Sequence, residues 1–309
     1  MTALNTLFPV FFMIGLGFLC RKKGWITPAQ KSGANEIVFK ILFPFLLVLL
    51  MCSAQFHLEQ LKVILYVYAA LGGTVILGKL LAKKIAPEHS HFSPYLMSCV
   101  EGGNVALPLY LSIVGTSSNT VIMDLGGMLM VFVTLPVLVA REKATGASKI
   151  AILKSILTNP FTVAVLIGMV LNVTGLYQMA AASAFGNLIS GTFDIVTKSI
   201  VPMILFIIGY DLHIDQKTVG SIIKLVSVKL VYFTLIIIGF FALFPDLMAD
   251  KTYMMAPLIY FMCPTGFGLI PIIAPLYKNE DDASFTSAFI SMYMIITLIV
   301  YTCVVIFIA

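Results

Sequence analysis

The chain has 309 residues, of which 60% are apolar and only 11% charged, with a mean hydropathy of +1.04. Soluble chains carry about 25% charged and about 45–50% apolar residues, so a soluble two-domain protein, a nucleic-acid binder and a disordered tail are excluded, leaving a polytopic helical membrane protein. The net charge of +5 is no sign of an anionic partner, because most basic residues fall where they set membrane orientation.

A spanning helix needs about 20 mostly apolar residues, since its backbone polar groups must be paired inside the hydrocarbon. Ten such segments follow along the chain: 4–20, 28–53, 61–82, 93–114, 119–140, 159–176, 187–210, 219–244, 253–276 and 284–308. Turn and cap residues separate them. Thr27 before Pro28 reads as an N-cap followed by a first-turn proline, and Asn159-Pro160 and Phe244-Pro245-Asp246 also punctuate. The longest polar connectors are 141–158 and 176–186.

Lys and Arg positions set orientation. Of 19, fourteen lie in or beside the connectors after segments 1, 3, 5, 7 and 9, and two, Lys62 and Lys251, lie on the other side. Lys40, Lys198 and Lys229 lie deeper within segments. The split predicts an even number of spans with both termini on the extracytoplasmic side of the plasma (inner) membrane. No basic residue precedes segment 1 and Arg21-Lys22-Lys23 follows it, which reads as a retained anchor rather than a cleaved signal. The five cysteines stand in apolar stretches and read as small core residues. His89-x-His91 has the form of a metal pair but reads as a solvated connector.

The two halves resemble each other. Pro9, Gly17 and Gly24 of segment 1 are matched in spacing by Pro160, Gly168 and Gly175 of segment 6. Glu36-Ile37-Val38-x-Lys40-x-x-x-Pro44 of segment 2 is matched by Asp194-Ile195-Val196-x-Lys198-x-x-x-Pro202 of segment 7. The offsets are 151 and 158 residues. Five helices per half is an odd number, so the second half must insert upside down, as in many secondary transporters. The predicted organisation is a first repeat over 1–140, a cytoplasmic linker over 141–158, and a second, inverted repeat over 159–309.

The fourth segment of each half is interrupted. Segment 4 holds Glu101-Gly102-Gly103-Asn104-Val105-Ala106-Leu107-Pro108, and segment 9 holds Cys263-Pro264-Thr265-Gly266-Phe267-Gly268-Leu269-Ile270-Pro271. Paired glycines and a proline leave backbone groups unpaired, and such backbone belongs on a cavity rather than against lipid. Half-helix N-termini suit an anion, and Asn104 and Thr265 add side-chain hydrogen bonds. The candidate substrate-binding residues are therefore Asn104, Val105, Pro108, Cys263, Pro264, Thr265 and Gly266.

Glu101 in segment 4 and Lys229 in segment 8, both segments entering from the cytoplasm, are ionisable residues that each lie about 12–15 Å deep at 1.5 Å rise per residue and could pair. Such residues are functional candidates by default. Glu101 is a candidate protonatable coupling group or a structural carboxylate, and Lys229 a coupling partner or an ion-paired, snorkelling lysine. The i,i+4 pairs Glu36/Lys40 and Asp194/Lys198 read as structural. Asp124, near the outer end of segment 5, reads as hydrated.

Taken together, Leu7-Phe8-Pro9 through Gly24, Phe43-Pro44, Asn104-x-x-x-Pro108, Asn159-Pro160 through Gly175-Leu176, Ser199-Ile200-Val201-Pro202 through Gly209 and the Pro264 segment resemble the auxin efflux carrier family. That family includes plant PIN auxin carriers and bacterial malate or malonate permeases. The resemblance implies an all-α fold of ten transmembrane helices, of the sodium/proton antiporter and bile-acid symporter type. Helices 1, 2, 6 and 7 would form a scaffold, often dimeric, and helices 3–5 and 8–10 a moving transport unit. It also implies that Pro108 and Pro264 are the crossover prolines and Asn104 the binding asparagine. The chain lacks the long central cytoplasmic loop of the PIN carriers and has Thr265-Gly266 where they differ, which points to a bacterial-type organic acid rather than auxin.

The expected function is elevator-type transport of a small organic anion, such as malate, malonate or an auxin-like acid. The expected partners are that anion, the bilayer and a second copy of the chain, with no nucleic acid. No cofactor is expected beyond a coupling proton or sodium ion. The alternatives are a cation/proton antiporter or ion-coupled symporter of the same fold, or a non-transporting receptor. An intramembrane enzyme finds no support, since there is no His-Glu-x-x-His and no Ser/His pair at depth.

Overall fold

The computed structural model describes residues 3–54, 58–115, 117–142, 160–211, 219–266 and 269–309. All described elements are helical. Most of the expected 141–158 linker lies outside the described residues, as do Asn159, Phe267 and Gly268.

The first helix, α1 (Ala3–Lys23), ends in Arg21, Lys22 and Lys23 and turns at Gly24, whose φ of 67° is open to glycine at little cost. The predicted cap then forms: the Thr27 hydroxyl accepts from Gln30 N–H at 3.3 Å while Gln30 Oε1 accepts from Thr27 N–H at 2.9 Å. This reciprocal box starts α2 (Pro28–Glu36) with Pro28 at its first position. A π-helical stretch over Ile37–Leu42 leads into α3 (Phe43–Ser53), and α4 (Leu58–Ile85) follows. Segment 4 is broken as expected: α5 (Ser93–Leu96) stops, the chain is non-helical to Glu101, and a π stretch over Gly102–Ala106 opens α6 (Leu107–Val114). Then come α7 (Asn119–Leu129), a third π stretch over Met130–Thr134, and α8 (Leu135–Glu142).

The three π stretches share a proline just downstream. Pro44, Pro108 and Pro136 each occupy the second position of the α-helix that follows. A proline supplies no N–H and its ring crowds the carbonyl four residues back. Widening the preceding turn relieves both problems.

The second half begins with α9 (Pro160–Val173). Gly175, at φ 72°, turns the chain into α10 (Leu176–Ala181), so part of the expected 176–186 connector is helical. Next are α11 (Gly186–Asp211), continuous through Pro202, α12 (Val219–Leu243) and the short α13 (Pro245–Met248). Segment 9 is broken between α14 (Lys251–Phe261) and α15 (Leu269–Ile273). The last helix, α16 (Glu280–Phe307), starts at an Asn279 cap.

Among the described residues six helices are long and apolar enough to cross a membrane: Pro28–Cys52, Glu59–Ile85, Asn119–Val139, Gly186–Asp211, Gly220–Leu243 and Glu280–Phe307. Gly102–Val114 and Val163–Val173 are shorter apolar helices. The chain is thus a multi-pass helical membrane protein, with broken segments between its long spans.

Two glycine crossings hold α1, α3, α9 and α11 together. Gly17 lies against the backbone carbonyl of Phe206, so a Cβ there would collide with it. Gly168 lies against α3, where a Cβ would come within 2.8 Å of the Val48 carbonyl oxygen. Small residues at such crossings let backbones approach closely, the main source of helix association in lipid. Asn172 adds polar fastening: its Nδ2 donates to the carbonyls of Met51, Cys52 and Ala54 at 2.7–2.8 Å. These carbonyls lie at the C-terminal end of α3 and its cap, where carbonyls run short of intrahelical donors. Polar contacts tie the basic ends: Arg21 Nη1 donates to the Tyr210 carbonyl at 3.2 Å, and Lys31 pairs with Asp211 at 2.6 Å.

Candidate functional site

The two broken segments cross where their helices stop. Glu101 N–H donates to the Pro264 carbonyl at 2.8 Å, joining the two unwound stretches. Thr265 Oγ1, fully buried, donates to the Leu96 carbonyl at the end of α5. Lys229, from α12, is fully buried and reaches the same junction. Its ammonium donates to Thr265 Oγ1 at 3.0 Å and to the Cys99 carbonyl at 3.3 Å. The ring of Tyr293 lies 4.5 Å from it, with Phe233 and Phe289 at 5.7 Å. A backbone carbonyl presents partial negative charge to the ammonium, and aromatic faces attract a cation. Lys229 is therefore held by dipoles and rings and fastens α12 to both broken segments.

On the other side of the crossing lies a cavity of about 90 Å³. Its floor is the start of the second half of segment 4: Glu101, Gly102, Gly103 and Asn104. Phe43 and Leu47 of α3 form one wall, and Val121, Asp124, Gly127, Met128, Val131 and Phe132 another. Cys99, Val100, Leu107 and Gly266 complete it. The Glu101 carboxylate caps the half-helix by accepting the Asn104 N–H at 3.4 Å, which suits a negative group at a helix N-terminus. Asn104 Oδ1 is buried and has no hydrogen-bond partner among the described residues.

Of the expected binding residues, Asn104 and Gly266 line this cavity. Val105, Pro108, Cys263, Pro264 and Thr265 are buried in the crossing behind it and not on its wall. Of the coupling candidates, Glu101 lines the cavity and Lys229 lies across the junction from it.

Asp124 corrects the sequence reading. Counting residues from the helix end placed it in hydrated surroundings, whereas it is turned inward. A Cβ on Gly102 would collide with its carboxylate, and Tyr260 OH donates to its Oδ1 at 3.1 Å. The missed signal is the glycine pair Gly126-Gly127 on the same helix. Gly126 lets the backbone of α4 approach, and Gly127 makes room for the Tyr260 hydroxyl.

The histidine reading also needs correction. His89 is buried, and both imidazoles meet one carboxylate. His89 Nδ1 donates to Asp282 Oδ1 at 2.8 Å and His91 Nε2 to Asp282 Oδ2 at 2.9 Å. The pair clasps α16 to the connector after α4 instead of standing in solvent. Among the described residues no group of His, Cys, Asp and Glu is arranged to hold a metal. Cys20, Cys52, Cys99 and Cys263 are buried as expected, whereas Cys303 is exposed.

A second, larger cleft of about 780 Å³ lies between α1, α2 and the end of α11 on one side and α15 and α16 on the other. Arg21, Lys31, Asn35, Ile270, Ser287 and Met294 are among the residues that border it.

A comparison with curated proteins finds no match for the chain. The family model described as "Membrane transport protein", which represents the auxin efflux carriers, matches residues 2–304. With broken helices crossing beside a polar cavity, and with that match along nearly its whole length, the chain belongs to the auxin efflux carrier family of membrane transport proteins.

Proposed function

We propose that the protein is a secondary transporter of a small organic anion, such as malate, malonate or an auxin-like acid, at the plasma membrane. The observation that carries this reading is Asn104. It stands in the first turn of a half-helix, where backbone N–H groups favour negative charge, with a buried acceptor that has no partner among the described residues, beside a cavity. A carboxylic or hydroxy acid offers both an anionic end for the N–H groups and a donor for Oδ1. Asn104 and Gly266 are the contact residues, and Val105, Pro108, Cys263, Pro264 and Thr265 support them from the crossing.

Movement of one unit against another is supported by the placement of both cavities. Phe43 and Leu47 belong to the proposed scaffold, whereas most of the remaining small-cavity wall belongs to the proposed transport unit. The larger cleft separates the same two units and is bordered by Arg21 and Lys31, residues of the proposed cytoplasmic face. It is the expected path to the site in an inward-open state.

The inverted repeat of two five-helix halves is supported by three matched pairs. Gly24 and Gly175 both take positive φ after their helices. Gly17 meets the carbonyl of residue 206 and Gly168 that of residue 48, positions that keep the offsets of 151 and 158. Glu36–Lys40 and Asp194–Lys198 both form i,i+4 ion pairs, at 3.1 and 2.9 Å.

Those ion pairs also support a homodimer. Their side chains are 60–76% exposed on helices that cross the membrane. Charges facing hydrocarbon are costly, and a second copy packed on this scaffold face would cover them.

Uptake or efflux of labelled malate, malonate and indole acetate in proteoliposomes tests the reading. Flux of at least one, saturable and lost in Asn104→Ala, is expected. Failure of every carboxylate to move, and of every one to raise the melting temperature, overturns it. The acidic wall of the cavity favours a second reading, cation/proton antiport, which predicts cation-driven proton flux with no carboxylate present.

A further inference from the structure

The small cavity has an unusual balance of groups for an organic anion. Glu101 and Asp124 both line it, Asn104 presents a carbonyl oxygen with no partner among the described residues, and none of the described lining residues is basic. Lys229 is across the crossing, with its ammonium on Cys99, Thr265 and three rings. A carboxylate entering here meets two acids and an acceptor. Like charges this close repel strongly in a water-poor site, and acceptors facing acceptors leave hydrogen bonds unmade. One added proton answers both problems, because it cancels a charge and turns an acceptor into a donor.

The two acids are not equivalent. Glu101 caps a half-helix, its carboxylate already accepting the Asn104 N–H at 3.4 Å. Asp124 sits in no such place. Its hydrogen-bond partner among the described residues is the Tyr260 hydroxyl; Glu101 and Cys99 share the cavity wall with it, and the nearby cation, Lys229, is engaged by the Cys99 carbonyl and Thr265 across the crossing. Its carboxyl also abuts Gly102, at the turn that holds Asn104.

We infer that the coupling ion is a proton and that Asp124 holds it while substrate is bound, beside Asn104 and the turn at Gly102. The inference rests on the organic-anion reading above. In the step itself, the Asp124 carboxylate takes one proton from the side open to water. The resulting O–H donates to the substrate carboxylate, and the pair moves with one negative charge fewer. On release the proton leaves Asp124 and the substrate departs as the anion. No bond other than O–H forms or breaks.

The test is isothermal titration of malonate into the purified full chain, in two buffers of different ionisation enthalpy, to count protons taken up per malonate bound. Native protein is expected to take up about one, and Asp124→Asn, which keeps shape and removes the charge, none. Native affinity is expected to fall about tenfold per unit of rising pH on the alkaline side, and the variant to be flat. Glu101→Gln is expected to keep the slope. Infrared difference spectra between acid and alkaline pH provide a second readout without substrate: a protonated carboxyl band that grows on acidification in native protein and is missing in Asp124→Asn. Malonate binding with no proton uptake, equal uptake in Asp124→Asn, or a carboxyl band unchanged in that variant would overturn the inference. Absence of malonate heat with the band present instead removes the substrate reading and leaves the proton on Asp124.

Discussion

Segments 4 and 9 are broken in corresponding places, yet their breaks do different chemistry. The break in segment 4 opens onto a cavity, with Asn104 Oδ1 lacking a partner among the described residues and Glu101 and Asp124 on the wall. The break in segment 9 turns inward: Pro264 accepts from Glu101, Thr265 donates to Leu96, and Lys229 donates to Thr265. One unwound stretch is left with hydrogen-bonding capacity to offer a ligand, and the other spends its own on holding the crossing together. Matched breaks in a repeat therefore do not imply matched roles. What separates them is whether a third helix, here α12 with its buried lysine, has already satisfied the exposed backbone.

The largest expected effect comes from removing that lysine. Lys229→Met leaves the Cys99 carbonyl without its ammonium donor and Thr265 without one of its partners, and unmet buried acceptors cost about 1–3 kcal/mol each. A fall in detergent melting temperature corresponding to about 3 kcal/mol is expected, with the crossing loosened. Unchanged melting would mean that the ammonium does not hold the junction. Gly102→Ala comes next, since its Cβ would push into the Asp124 carboxylate. Binding is expected to weaken by a hundredfold or more, about 3 kcal/mol, with a smaller change in melting.

Asn104→Ala and Thr265→Val then form the direct contrast. The first should lose at least about tenfold in affinity, about 1.4 kcal/mol, while melting stays near native. The second should lose about 1–2 kcal/mol of stability while the affinity of the folded fraction holds. Titration and melting on the same preparations decide it, and the contrast fails if the two variants behave alike. Smallest is Thr27→Ala, away from both breaks. It removes an N-cap worth about 1 kcal/mol and should lower melting slightly, with transport per folded molecule unchanged.

The breaks themselves were visible in the amino-acid order because Gly102, Gly103, Pro108 and Pro264 mark places where a helix cannot run unaltered. The Thr27 cap and the glycine matches between segments 1 and 6 were visible for the same reason, since each is local or periodic. Asp124 was hidden because distance from a helix end says nothing about which way a side chain faces. Its partner Tyr260 is 136 residues away. The His89–His91–Asp282 clasp spans more than 190 residues and leaves no local trace. Lys229 was conspicuous as a charge in an apolar run. That it would be held by a carbonyl, a hydroxyl and rings depends on where α5 and α14 end, which only the folded chain decides.

The π stretches bear on how such a pocket changes over time. All three border the cavity or its rim: Phe43 directly follows the first, Gly102 to Asn104 belong to the second, and Val131 and Phe132 to the third. A π turn holds one residue more than an α turn needs. Deleting that residue would let the helix close to its ordinary pitch and rotate the wall beyond it by about 100°, presenting a different set of side chains. Substrate preference in a chain built this way can shift through single-residue deletions and insertions beside Pro44, Pro108 and Pro136. Relatives with different cargoes would then differ there in length as much as in side-chain identity.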